Sequence, residues 1–141
     1  DHNGSRGLGD VYKRQTGDSL TIICWGAMVQ KSVEAAQQTS KSDNIIEIID
    51  IRTLNPIDYD TIKDSISKTG KVLVVYEDNL TNGPGAELCS VIADRYFEYL
   101  DGPIKRVASK DSPVPYNWFL EDDVLVQVSD ISNAIKELLE Y

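Results

Sequence analysis

The chain has 141 residues, with 14 Lys and Arg against 23 Asp and Glu and a formal net charge of −9; that length suits one domain with its own core and falls short of two. The acid excess argues against nucleic acid, because phosphate binding needs clustered cations, and no apolar run approaches the ~20 residues of a membrane helix. No secretory signal stands at the N-terminus, and Cys24 and Cys89 lie inside apolar runs rather than at ligand spacing, which reads as free thiols in a reducing compartment, the cytoplasm, rather than as a disulfide or a metal site.

At the start, Asp10 to Gln15 spell DVYKRQ. This hexapeptide resembles the translation of the mosaic end of a transposon used to prepare sequencing libraries. Residues 1–15 are therefore set aside as a non-native, adapter-derived segment expected to be disordered, and residues 16–141 are taken as the domain. The one histidine, His2, falls in the segment set aside, so residues 16–141 offer no imidazole for general base, metal or triad. They hold 21 acidic against 11 basic residues.

From Ser19 the run LTIICWG is short, β-rich and closed by Gly26, which predicts a buried strand. Val29, Val33 and Ala36 then recur at helical spacing over Ala27 to Ser40. IIEIIDI, Ile45 to Ile51, predicts a mostly apolar strand, after which Asn55 and Pro56 offer a cap and a first-turn proline to a helix with Ile62 and Ile66 inward and Gly70 at its end. KVLVVYE, Lys71 to Glu77, predicts a strand covered on both faces. The turn Leu80 to Gly85 leads into a helix over about Ala86 to Leu100, with Leu88, Cys89, Ile92, Ala93, Tyr96, Phe97 and Leu100 inward. A strand at Ile104 to Ala108, a proline-broken stretch from Ser112 to Tyr116 and a helix from about Ser129 to Leu139 complete the order. Alternating strands and helices predict an open, largely parallel sheet with helices on both faces.

The sharpest local feature is Glu77 and Asp78 followed by Thr81-Asn82-Gly83-Pro84-Gly85-Ala86-Glu87, a glycine-rich turn between a strand's carboxyl end and a helix start. Ligands bind at such places in open α/β sheets, and free helix amides favour an anion. The spacing is neither a dinucleotide fingerprint nor a P-loop, and Glu77, Asp78 and Glu87 would repel a phosphate. The bland reading, glycines permitting a tight turn and close packing, outweighs the anion site. Glu121, Asp122 and Asp123 open a late acidic stretch in which Lys136 is the one base. Without a basic partner at hand, these carboxylates read as solvated or interfacial rather than as general acids or bases. Trp25 reads as core, while Trp118 and Phe119 suit packing and an interface anchor equally.

Several runs together resemble a family: Gly17-Asp18-Ser19-Leu20-Thr21-Ile22-Ile23, Trp25-Gly26-Ala27-Met28-Val29, Asp50-Ile51-Arg52-Thr53-Leu54-Asn55-Pro56, Glu77-Asp78 with Thr81, Gly83 and Gly85-Ala86-Glu87, Phe97-Glu98-Tyr99-Leu100-Asp101, and Asp111-Ser112-Pro113-Val114-Pro115-Tyr116 with Leu120-Glu121. Their order and spacing are those of the transketolase C-terminal domain, in the version of pyruvate and branched-chain 2-oxo acid dehydrogenase beta subunits. The resemblance covers Gly17 to Tyr141. It implies a three-layer α/β/α domain with a mixed, mostly parallel five-stranded sheet whose first strand runs against the others. It implies no cofactor in this domain: thiamin diphosphate and Mg in the parent enzyme lie between the alpha subunit and the beta subunit's N-terminal domain. It assigns assembly to the domain, with the alpha subunit, a second beta subunit and a basic subunit-binding domain of the acyltransferase core as partners. Glu77, Asp78, Thr81, Gly83, Gly85, Glu87, Pro115, Tyr116 and Trp118 are then candidates for subunit interfaces, and Glu121, Asp122 and Asp123 for docking. Two departures stand out: many relatives carry histidine where this chain has Tyr76, and glycine and an aromatic residue where it has Asn82 and Pro84. The alternatives are a stand-alone flavodoxin-like module binding a small ligand or anion, and the C-terminal domain of a transketolase or deoxyxylulose-phosphate synthase. Coding sequence upstream of Thr16 separates the first from the family reading; the D-x-P-x-P-Y segment speaks against the second.

Overall fold

A computed structural model describes residues 11–39, 45–52, 57–79, 83–109 and 125–141. The elements are β1 (Val11–Gln15), β2 (Leu20–Cys24), α1 (Met28–Thr39), β3 (Ile46–Ile51), α2 (Tyr59–Thr69), β4 (Val72–Asn79), α3 (Pro84–Arg95), a 3-10 turn (Phe97–Tyr99), β5 (Lys105–Ser109) and α4 (Val128–Leu139). They form one five-stranded sheet in the order β1-β3-β2-β4-β5. β2 pairs parallel with β3 and β4, β4 pairs parallel with β5, and β1 runs antiparallel along β3.

Alternation along the inner strands sorts side chains onto two faces. Leu20, Ile22, Cys24, Ile46, Ile48, Leu73 and Val75 pack with Met28, Ala35 and Ala36 of α1 and Ile131, Ile135 and Leu138 of α4. Ile23, Ile49, Ile51, Val72, Val74 and Tyr76 pack with Ile62 and Ile66 of α2 and Leu88 and Ile92 of α3. The result is the three-layer α/β/α domain that the resemblance implied. Among the described residues no helix is long and apolar enough to cross a membrane.

Four local expectations need correction. Val11–Gln15, expected to be disordered, forms the antiparallel edge strand, because β3 presents an open main-chain edge that a five-residue extended segment can satisfy. Within the described residues α2 begins at Tyr59 and is capped by Asp58, whose carboxylate accepts from the Thr61 amide at 3.2 Å; the cap expected at Asn55 lies outside the described residues. The long helix predicted to Leu100 stops at Arg95, where Tyr96 leaves helical geometry and a 3-10 turn follows. That break turns Phe97, expected inward, out to 73% exposure, and Ala93 is exposed as well. Gly70 ends α2 as predicted, with φ +73° and its amide on the Ile66 carbonyl at 2.8 Å.

Candidate functional site

The carboxyl ends of β2 and β4 lie side by side, because β2 is followed in sequence toward β3 on one side and β4 occupies the other. This is the switch point of the sheet, where an open α/β domain leaves a crevice. Here the described crevice residues are large rings: Trp25 stacks on Tyr76, with centroids 5.5 Å apart and planes 14° from parallel. Tyr76 is fully buried. The Arg106 guanidinium of β5 donates to its hydroxyl at 3.5 Å, a long contact. α3 closes over the ring through Gly85, where an added Cβ would lie 2.0 Å from Tyr76 Cε1. Glycine at 85 is therefore a packing requirement, as the bland reading of the turn held.

Among the described residues of the turn, Pro84 and Glu87 are exposed and Gly83 and Ala86 half-buried. Gly83 is the N-cap of α3 with extended backbone, Pro84 occupies the first turn, and Glu87 is exposed there. Gly83, Pro84, Ala86, Glu87 and Ser90 line an open depression. Glu77 is exposed, while its carbonyl accepts from the Ser109 hydroxyl and so ties the ends of β4 and β5 together. Asp78 belongs to β4. Across from Glu87, Tyr59 lies under Arg95, 5.2 Å from guanidinium carbon to ring centre. Burial and the nearby Glu87 push the Tyr59 hydroxyl above its ordinary range, against Arg95. Thr81, Pro115, Tyr116, Trp118, Glu121, Asp122 and Asp123 lie outside the described residues, as does the side chain of Asp78.

A second constellation escaped the sequence reading. Glu47, in the middle of β3, has a fully buried side chain. Its carboxylate accepts from Lys68 Nζ at 2.6 Å, from the Ser65 hydroxyl and from the Gly17 amide at 3.1 Å, with Lys13 Nζ 3.6 Å away. Thr21 bridges Ser65 and Thr69, each at 2.7 Å. Burial would raise the Glu47 carboxyl, but Lys68, Ser65, Gly17 and Lys13 outweigh it and hold the group below the usual carboxylate range. The signal was present in IIEIIDI: an acid inside a strand covered on both faces has to be paired.

These groups tie the fold together, and their donors are already engaged. Among the described residues no group of three or more His, Cys, Asp and Glu side chains could hold a metal ion. The glycine turn at the start of α3 carries Glu87 and follows Glu77, a poor electrostatic match to a diphosphate. The α3 turn therefore does not fit the diphosphate of thiamin diphosphate.

The chain belongs to the transketolase C-terminal domain family: the model described as "Transketolase, C-terminal domain" matches residues 9–131, a span that takes in β1. Within that class it is similar to the pyruvate dehydrogenase E1 component subunit beta of Rickettsia bellii, 40% identical over 132 residues that make up 93% of this chain and 40% of that protein. It is also similar to the mitochondrial pyruvate dehydrogenase E1 component subunit beta of Dictyostelium discoideum, 35% identical over 133 residues, 94% of this chain and 37% of that protein. The chain thus spans about 40% of the length of the curated relatives it matches. Among solved structures, a split-gene transketolase described as an inactive beta4 tetramer superposes with a TM-score of 0.79 at 23% identity, over 94% of this chain and 42% of that one.

Proposed function

We propose that this chain is the assembly domain of the beta subunit of a thiamin-diphosphate-dependent 2-oxo acid dehydrogenase. The parent enzyme would decarboxylate a 2-oxo acid on thiamin and pass the acyl group to lipoamide. Thiamin diphosphate and Mg would be held by parts of the enzyme other than this domain. The observation that carries the reading is the similarity of nearly the whole chain to pyruvate dehydrogenase beta subunits at 35–40% identity, which also favours a 2-oxo acid over a sugar phosphate. The free thiols of Cys24 and Cys89 support a cytoplasmic location.

In this reading Glu77, Asp78, Thr81, Gly83 and Glu87 around the α3 turn meet the alpha subunit or a second beta subunit, together with Pro115, Tyr116 and Trp118. Buried Gly85 supports that turn from beneath. Glu121, Asp122 and Asp123 dock a basic subunit-binding domain of the acyltransferase core. The net charge of −9 supports a basic partner, and complementary charge acts chiefly on encounter rate and specificity. The test is association of the chain with a basic peripheral subunit-binding domain, followed by stopped flow at increasing salt. The rate should fall as salt rises, and replacing Glu121, Asp122 and Asp123 together by Ser should slow it further. An unchanged rate for the folded triple variant would remove the docking assignment.

A further inference from the structure

We draw no further inference here: the strongest candidate, the exposed aromatic patch around the turn between α3 and β5, with Phe97 in the turn and Tyr141 beside its Gly102, carries nothing because nothing in the structure shows what covers it.

Discussion

Gly85, in the first turn of α3, lies against the ring of Tyr76 so closely that a methyl group on its Cα would reach to 2.0 Å from Cε1. Strand β4 and helix α3 meet at this point, and the bare backbone of one residue is matched to the full width of an aromatic side chain.

Gly85→Ala should lower stability by about 1–3 kcal/mol, the usual loss from overpacking a filled core, as read by urea denaturation. In a Tyr76→Leu background the same substitution should cost less, since a flexible side chain can give way where a ring held between Trp25 and α3 cannot. An undiminished loss would show that the ring contact is not what excludes a side chain at 85.

The Glu47 carboxyl lies below its ordinary range in the folded chain. It therefore adds stability above the unfolded carboxylate pKa of about 4.3 and loses that contribution as pH falls through the folded value. Glu47→Gln should reduce stability at pH 7 by about 1–3 kcal/mol, the range for a buried group stripped of its charged partner. It should also flatten the acid limb of the stability curve. If the variant and the unsubstituted chain lose stability in parallel below pH 4, the charge on Glu47 is not what the network uses.

Burial pushes the Cys24 thiol up to about 12 and the Cys89 thiol up to about 11. At pH 8 both should react with a disulfide reagent far more slowly than in urea, with half-buried Cys89 ahead of Cys24. Because the folded values are raised, the unfolded chain loses its thiol protons first, and stability should decline as pH climbs above about 8.5. Replacing both cysteines by Ala should remove that alkaline slope; its survival would assign it to other groups.

Calorimetric titration of the chain with thiamin diphosphate and Mg should show no saturable heat. The described residues lack a metal-binding cluster, and residues 16–141 contain no histidine. Saturable binding in the micromolar range would relocate the cofactor site into this domain.

Much of the fold was legible from periodicity. The run LTIICWG read as a buried strand and KVLVVYE as a strand covered on both faces, and the 3.6-residue recurrence of Ile131, Ile135 and Leu138 marked one side of α4. Gly70 was readable as a helix stop because a left-handed residue there favours glycine. The end of α3 was not. Apolar spacing runs on through Phe97 and Leu100, and no glycine or proline stands at Tyr96 to mark where the helix ends. β1 was misjudged for a related reason. Its residues carry little apolar patterning, so their strand state depends on the open edge of β3, a partner more than 30 residues away.

The candidate site divides along the same line. Gly83, Gly85, Glu77 and Glu87 could be marked from the chain alone because a glycine turn after a strand has local meaning. That Gly85 is occupied by packing on Tyr76 while Glu87 stays in solvent became visible once α3 was laid across β4. Glu47 is the sharper case: one acid among isoleucines announces a paired buried charge, yet its partners come from α2, from Gly17 and from β1. Spacing along a chain records which face a side chain takes; which groups meet on that face is settled by strand order, which brings together segments that the sequence keeps far apart.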